Sequence, residues 1–204
     1  AYIDAVADAG VDAVKFQTHI AKAESTFEEP WRVKFSYQDK SRYDYWKRME
    51  FSLKQWHEVK KHCDDVGLEF LCSPFSNMSV DWLIDLNVQK YKIGSGEVGN
   101  LLMLEKISKT GKEIIISSGM SSFHEIDETI NFLKKFDNKI SILQCTTKYP
   151  TGSKDIGLNV IEELRNRYNL EVGLSDHSGV IYPSLAAVSL GAKILEFHAV
   201  FDKN

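Results

Sequence analysis

The chain alternates between short apolar runs of strand length and longer runs with helical periodicity. Strand-like runs cover residues 13–18, 69–75, 90–97, 113–120, 140–150, 171–178 and 193–201. Helix-like runs separate them, such as 52–67, 79–87 with Ser79 as its predicted N-cap, and 122–136, where Ser122 and Glu125 predict a capping box. Strands that alternate with helices in this way are typical of a parallel α/β fold.

Polar residues inside the strand-like runs favour a barrel over a doubly wound sheet. Three pairs lie two positions apart, namely Lys15 with Gln17, Ser175 with His177, and Glu196 with His198. Residues two apart in a strand face the same side, so one side of each strand would be polar. Their neighbours in the sequence, Leu195 and Phe197 among them, are apolar and predicted to face helices. No GxGxxG follows the first strand, so we predict a (β/α)8 TIM barrel.

A complete barrel has eight strands, and seven strand-like runs are present. We therefore expect residues 1–204 to form one partial barrel domain with strands 2–8, without strand 1, the last helix or a second domain. Residues 19–51 form the longest stretch without clear periodicity and are predicted to be an irregular loop. Because this loop leaves the strand that carries Lys15, we expect it to overhang the site.

Composition excludes some classes of function. The formal net charge is −4, from 25 basic and 29 acidic residues, which argues against a nucleic-acid-binding protein. No apolar run approaches the length of a membrane span, so no membrane partner is expected. Three cysteines without a CxxC motif indicate a reducing, cytoplasmic compartment. Cys72 and Cys145 are predicted to be buried thiols rather than nucleophiles, because neither has a neighbouring histidine.

Two histidines at the ends of consecutive strands are candidate metal ligands. His177 and His198 would offer imidazoles, with carboxylates at Asp176, Glu196 and Asp202 nearby. Such a donor set suits Mn, Fe, Co or Zn. The alternative is a pair of unrelated polar histidines.

Two lysines on inward strand positions are candidate anion ligands. A buried ammonium at Lys15 or Lys92 needs a partner, which a phosphate or carboxylate would supply. The alternative is salt bridges to Glu97 and similar residues. Hydroxyl donors for the same anion lie on four strands, at Ser73, Ser95, Ser117 and Ser175.

Seven segments, taken together and in order, resemble the sialic acid synthase family of the N-acetylneuraminate synthase type. They read VKFQT, FLCSPF, YKIGSGE, IIISSGM, LQCTTKYPT, GLSDHS and LEFH, and they span nearly the whole chain. The resemblance implies a barrel that condenses phosphoenolpyruvate with an N-acetylated hexosamine aldehyde, giving a nine-carbon 2-keto-3-deoxy sugar acid and phosphate. It also implies a divalent metal, Mn first with Mg or Co as alternatives, and a homodimer.

The family pattern assigns roles residue by residue. It implies substrate contacts at Lys15, Gln17, Ser73, Lys92, Ser95, Ser117, Thr147, Tyr149 and Ser175. His177 and His198 resemble the metal ligands, and Glu97 or Glu196 could guide a water or a proton as the catalytic carboxylate. Thr147 departs from the family, which commonly has Asn there, and Phe197 replaces a basic residue. The first-strand catalytic Glu and the C-terminal antifreeze-like domain of the family are not expected within this chain.

Two other functions stay open. One is a sibling phosphoenolpyruvate-condensing enzyme of the 3-deoxy-octulosonate-phosphate type, whose phosphorylated acceptor could use basic residues of the long loop. Those residues are Arg32, Lys34, Lys40 and Arg42. The other is a non-catalytic binding barrel. The acceptor also stays open among N-acetylmannosamine, its 6-phosphate, and the diamino sugars of legionaminic or pseudaminic acid synthesis.

Overall fold

A computed structural model describes residues 1–31, 34 and 36–201 of the chain. The chain divides into two compact units, Ala1–Gln89 and Lys90–Asn204. Strands and helices alternate in both units. All strand pairs within each unit are parallel, so the predicted parallel α/β fold is confirmed.

The first unit contains two parallel strands and the helices around them. Its elements are α1 (Tyr2–Asp8), β1 (Ala13–Thr18), α2 (Ala21–Glu24), α3 (Arg42–Met49), α4 (Leu53–Asp65), β2 (Glu69–Pro74) and α5 (Asn77–Asp85). Strand β1 pairs with β2 so that Gln17 lies beside Ser73. On the opposite side of β1, the ring of Phe16 stacks on Phe70 at 5.5 Å and meets Trp56 edge-on at 5.9 Å. This aromatic contact packs α4 onto the pair of strands.

The second unit contains five parallel strands that pair in chain order. Its elements are β3 (Lys90–Ile93), α6 (Leu101–Ser108), β4 (Glu113–Ser117), α7 (Phe123–Leu133), β5 (Ile140–Cys145), α8 (Leu158–Tyr168), β6 (Glu171–Asp176), α9 (Tyr182–Ser189) and β7 (Ile194–Phe197). A short 3-10 helix, Ser95–Glu97, follows β3. Strands β4 and β5 are almost fully buried, as continuous apolar runs in parallel sheets usually are.

The predicted strands begin within one residue of the observed ones, and all but the first extend too far at their carboxyl ends. Strand β3 ends at Ile93 rather than at residue 97, and β5 ends at Cys145 rather than at 150. In the first case Gly94 leads into the 3-10 helix, and in the second the chain turns into a loop that includes a cis Tyr149–Pro150 bond. The polar residues of the motifs are therefore divided between the strands, as Lys92 and Ser117 are, and the segments that follow them, as Tyr149 and His177 are.

Helix caps confirm one prediction and correct another. The side chain of Ser122 accepts from the backbone N–H of Glu125, and Glu125 accepts from that of Ser122, so the predicted capping box is present. The prediction of Ser79 as an N-cap is wrong, because α5 is capped by Ser76. Ser79 lies at the third helical position and donates its hydroxyl to the Ser76 carbonyl at 2.7 Å.

The prediction that residues 19–51 form one irregular loop is wrong in part. The segment contains α2 and α3, and α3 begins with a capping box between Ser41 and Asp44. The guanidinium of Arg48 binds both carboxylate oxygens of Asp39, at 3.0 and 2.8 Å. This contact holds the pKa of Asp39 below its usual range. Much of the segment is thus ordered by its own side chains.

The apolar side of β7 is partly open to solvent. Leu195 and Phe197, the residues predicted to face helices, are 36% and 57% exposed. Among the described residues no helix follows β7 to cover them. Within the same ranges, none of the helices combines the length and the apolar character needed to cross a bilayer.

Candidate active site

Lys92 is the central charge of the second unit. Its side chain is almost fully buried, and its ammonium donates to the Ser117 hydroxyl at 2.6 Å. The carboxylate of Glu196 lies 3.2 Å from the same nitrogen. A buried ammonium requires such partners, because an uncompensated charge in a protein interior is costly. Strands β3, β4 and β7 each contribute one member of this cluster.

The expected ion pair between Lys92 and Glu97 is not the one that forms. Glu97 lies on the 3-10 helix after β3, where it accepts a hydrogen bond from the Asn100 side chain at 2.9 Å. The 3-10 helix turns the backbone directly after Gly94, and the carboxylate of Glu196 pairs with Lys92 instead.

Three side chains converge on the backbone of Gly119, directly after β4. A methyl group at Gly119 would lie 2.6 Å from Thr147 Oγ1, 2.8 Å from Cys145 Sγ and 3.2 Å from Ser95 Oγ. Such distances leave no space for a side chain at this position. The structure therefore brings the predicted residues Ser95 and Thr147 together, beside a glycine that the sequence analysis did not single out.

His177, Tyr149 and His198 form an aromatic cluster at the ends of β5, β6 and β7. The ring centroids are 4.2 Å apart for Tyr149 and His177, 5.3 Å for the two histidines, and 5.6 Å for Tyr149 and His198. Burial raises the pKa of the Tyr149 phenol, and the neighbouring Cys145 and Glu196 raise it further when they are charged.

Hydrogen bonds assign the tautomer of His177. Its Nδ1 lies 2.8 Å from the carbonyl oxygen of Thr146, which can only accept, so Nδ1 carries the proton. The lone pair is then on Nε2, which lies 3.1 Å from the Tyr149 hydroxyl. A backbone carbonyl behind one ring nitrogen is the usual arrangement for a metal-binding histidine. The donor chemistry of His177 therefore fits a divalent metal, with His198 as the neighbouring imidazole.

The predicted carboxylates near these histidines do not complete a metal site in the described part of the chain. Asp176 is buried, and it accepts a hydrogen bond from the backbone N–H of Ser178 at 2.8 Å and another from the Ser178 hydroxyl at 3.0 Å. Both of its carboxylate oxygens therefore already accept hydrogen bonds. Asp202 lies outside the described residues. Between residues 1 and 201, apart from 32, 33 and 35, we find no cluster of three or more His, Cys, Asp or Glu side chains able to bind a metal. Ser175, also predicted as a contact, is buried beside Cys145 and Glu196 in the sheet register.

The first unit holds the other predicted contacts on one side of β1 and β2. Lys15 and Gln17 lie two positions apart on β1, and Ser73 lies beside Gln17 on β2. Gln17 is exposed, Lys15 is half-buried, and Ser73 is buried. Parallel neighbours in register present their side chains to the same side of a sheet, so these three residues share one surface.

The cysteines are free and buried, as predicted. Burial raises the pKa of the Cys72 thiol to about 12 and that of Cys63 to about 11. Cys72 lies 2.6 Å from the Thr18 hydroxyl. A thiol with such a pKa remains protonated near neutral pH, so neither Cys63 nor Cys72 is suited to act as a nucleophile.

His19 is a residue of this region that the sequence analysis missed. It follows β1 directly, and its Nδ1 lies 2.7 Å from a carboxylate oxygen of Glu24. Its ring packs between Trp46, at 4.4 Å, and Phe75, at 4.3 Å. The spacing Lys15, Gln17, His19 continues the two-residue repeat of the strand and could have identified it.

Comparison with known proteins decides the family. A model of the NeuB family matches residues 2–204. The chain belongs to the NeuB family. The resemblance to sialic acid synthases drawn from the seven motifs is therefore confirmed.

Named relatives of this NeuB chain are sugar-acid synthases. It is 39% identical over 208 residues to the N,N'-diacetyllegionaminic acid synthase of Campylobacter jejuni, covering 99% of this chain and 62% of the relative. It is 36% identical to the N-acetylneuraminate-9-phosphate synthase of Homo sapiens, covering 96% of this chain and 55% of the relative. The crystal structure of the N-acetylneuraminic acid synthetase of Leptospira borgpetersenii superposes with a TM-score of 0.86 at 29% identity, covering 98% of this chain and 67% of that one. The NeuB chain thus spans somewhat more than half the length of these two curated relatives.

Proposed function

We propose that this NeuB protein condenses phosphoenolpyruvate with an N-acetylated hexosamine aldehyde, forming a nine-carbon 2-keto-3-deoxy sugar acid and phosphate. The observation that carries the proposal is the buried Lys92 ammonium held by Ser117 and Glu196 at the end of the strands. The synthase names of the relatives support it. We propose also that the seven strands belong to a (β/α)8 barrel, since the Leptospira synthetase has a closely similar fold.

In this reaction C3 of the enol attacks the aldehyde carbon, the aldehyde oxygen gains a proton, water adds at C2, and phosphate departs. Lys92 would bind the phosphoenolpyruvate anion, with hydroxyls of Ser95, Ser117 and Ser175 as additional donors. Holding the enol over the aldehyde replaces a bimolecular encounter with an oriented one. Glu97 and Glu196 are the proposed carboxylates for guiding the water or the proton.

The family pattern extends the proposed contacts to the remaining predicted residues. Lys15 and Ser73 would contribute to anion binding, and Gln17, Thr147 and Tyr149 would contact the sugar. His177 and His198 would hold a divalent metal, Mn first with Mg or Co as alternatives. When bound, such an ion supplies Lewis-acid polarisation of the aldehyde.

We place uncharged acceptors first in the test, because one of the basic residues considered for a sugar phosphate already has a carboxylate partner. Among the basic residues considered for binding a sugar phosphate, Arg42 already forms a salt bridge with Glu29. Arg32 lies outside the described residues. Sugars without phosphate, including the diamino sugars, are therefore the first acceptors to test.

We further propose that the protein is a homodimer, on the family resemblance, and that it is cytoplasmic, because its cysteines are free.

The test is phosphate release by the full-length protein with phosphoenolpyruvate, Mn and a panel of acceptors. The panel includes N-acetylmannosamine, its 6-phosphate, and diacetylated diamino hexoses. We expect release only with an acceptor, together with formation of a 2-keto-3-deoxy acid. Release with none of these sugars would contradict the synthase proposal and leave the binding-barrel alternative.

Lys92→Met tests the role of the buried ammonium. We expect kcat/KM to fall by about 100-fold or more, because hydrogen bonds to charged groups contribute most strongly where water is excluded. Lys139→Met is the matched control, since Lys139 also bridges carboxylates, Glu113 and Glu171, but is 57% exposed. His177→Ala should lower kcat/KM to a similar extent, whereas the exposed His124→Ala should leave it unchanged. A Lys92→Met protein that is folded and fully active would refute this assignment.

A further inference from the structure

His19 lies where β1 ends, on the side that carries the proposed contacts. Lys15, Gln17 and His19 follow one another at two-residue steps, and each step advances about 6.6 Å along an extended strand. Phe75 follows Ser73 at the same spacing on β2 and stacks on His19. His19 therefore lies outward of Gln17, towards the carboxyl ends of both strands.

The imidazole of His19 is fixed on three sides. Trp46 and Phe75 cover its two faces, with ring planes tilted by 32° and 17°. Glu24 Oε2 binds Nδ1, while Glu24 Oε1 accepts from the backbone N–H of Ile20 at 2.7 Å. A carboxylate held in this way accepts a hydrogen bond from Nδ1–H, so the proton of the ring is on Nδ1 and the lone pair is on Nε2.

Trp46 is itself held in place by contacts of the segment around α3. The capping box of Ser41 and Asp44 begins the helix, and Glu50 after its end accepts from the backbone N–H of Ala21 at 2.9 Å. The contact with Ala21 ties the end of α3 to the first residue of α2, two positions after His19. The aromatic cover of His19 is thus anchored at both ends.

The Nε2 edge is the part of the His19 ring that a ligand could still contact. Within the described ranges His19 shows no hydrogen bond from Nε2, and its side chain is 19% exposed. With both faces covered, the ring cannot stack on a sugar, so a ligand would meet it edge-on. An imidazole whose Nδ1 carries the proton can accept a hydrogen bond from a hydroxyl at its Nε2 edge.

We propose that Nε2 of His19 accepts a hydrogen bond from a hydroxyl of the acceptor sugar, which makes His19 a determinant of acceptor specificity. This inference rests on the proposed function and deepens it. A polyhydroxylated, uncharged acceptor offers the donors that this edge requires, whereas the phosphoenolpyruvate anion would seek the lysines.

Two amide variants separate the two ring nitrogens. His19→Asn retains a donor for Glu24 near the Nδ1 position but lacks an atom at Nε2. His19→Gln places its amide near the Nε2 position and loses the Glu24 contact. Both are made in the full-length protein, and thermal melting confirms that each remains folded.

We expect His19→Asn to raise KM for the acceptor about tenfold, which is the effect of one lost hydrogen bond. The KM for phosphoenolpyruvate should change less than about twofold, and His19→Gln should stay within about threefold of the parent protein. Calorimetric binding of the acceptor alditol, which lacks the reacting aldehyde, should weaken by the same factor in His19→Asn without turnover.

Three outcomes would overturn the inference, and they can be told apart. Equal rises in both KM values, with a lowered melting temperature, would indicate a structural role for His19. Unchanged alditol binding by His19→Asn, with normal turnover by the parent protein, would refute the His19 contact alone. No acceptor-dependent release by the parent protein would refute the proposed function and this inference with it.

Discussion

Gly119 shows how one residue without a side chain shapes its surroundings. The Ser95, Cys145 and Thr147 side chains all lie within 3.2 Å of the position that a methyl group at Gly119 would occupy. The proposed donors from two different strand ends can approach each other because this position is empty of side-chain atoms.

Gly119→Ala should therefore lower kcat/KM by at least about tenfold while costing about 1 to 3 kcal/mol of folding free energy, the usual effect of overpacking. Gly99→Ala is the matched control, because a methyl group there meets nothing within 4 Å. Acceptor-dependent phosphate release and thermal melting measure the two effects. Equal activity of both alanine variants would show that Ser95 and Thr147 need no close approach.

The sequence predicted correctly those residue placements that depend only on neighbouring positions in the chain. The two-residue repeat predicted correctly that Gln17 and Lys15 lie on one side of β1. It could not predict that Lys92 pairs with Glu196, because that contact joins residues far apart in the chain and depends on strand placement. The contact of His19 with Trp46 was missed for the same reason.

At the scale of elements, helix α7 offers a direct test of capping. Ser122→Ala should lower the free energy of unfolding by about 1 kcal/mol, because the mutation leaves the Glu125 N–H without its cap. It should also raise the pKa of Glu125, which hydrogen bonds from the Ser122 backbone and hydroxyl hold below its usual range. Urea unfolding measures the first effect.

Ser121→Ala is the neighbouring control, since Ser121 precedes the cap and takes no part in the box. A Ser122 variant as stable as the Ser121 variant would contradict the capping account.

The prediction of helix starts from sequence depended on such capping patterns. Ser122 with Glu125 was recognised, whereas Ser41 with Asp44 was overlooked, although the same pattern stands in the sequence. For α5, Ser76 and Ser79 both offered a hydroxyl, and only backbone geometry selects Ser76.

At the scale of the whole molecule, carboxylates with lowered pKa values predict acid sensitivity. The hydrogen bond from Arg167 lowers the pKa of Asp127 from 3.8 to about 2, and Tyr168 adds a second one. Glu171 is lowered in the same way by Lys139. Because these groups bind protons more weakly in the folded protein than in the unfolded chain, their contribution to stability is complete above the unfolded pKa. It is lost as the pH falls from about 4 towards about 2.

We therefore expect the melting temperature to fall across this acid range, and Asp127→Asn to make that fall shallower. Calorimetric scans at a series of pH values would measure both, with the exposed Asp137→Asn as control. An identical acid profile for the Asp127 variant and the parent protein would contradict the assignment of this carboxylate.

The alternation of apolar runs was sufficient to predict a parallel α/β chain, because each run encodes its own strand or helix. The 3-10 helix after β3 was not predictable in this way. It interrupts a continuous motif, YKIGSGE, in which the pattern of apolar residues gives no sign of a turn.

The Lys92 and Glu196 pair has a consequence for how a substrate enters. Since Lys92 already holds a carboxylate, the phosphoenolpyruvate anion of the proposed reaction would exchange with Glu196 instead of meeting an uncompensated charge. Its affinity would reflect the difference between two ion pairs, both largely shielded from the bulk solution. Ionic strength, which weakens exposed pairs strongly, should therefore have little influence on the occupancy of this site.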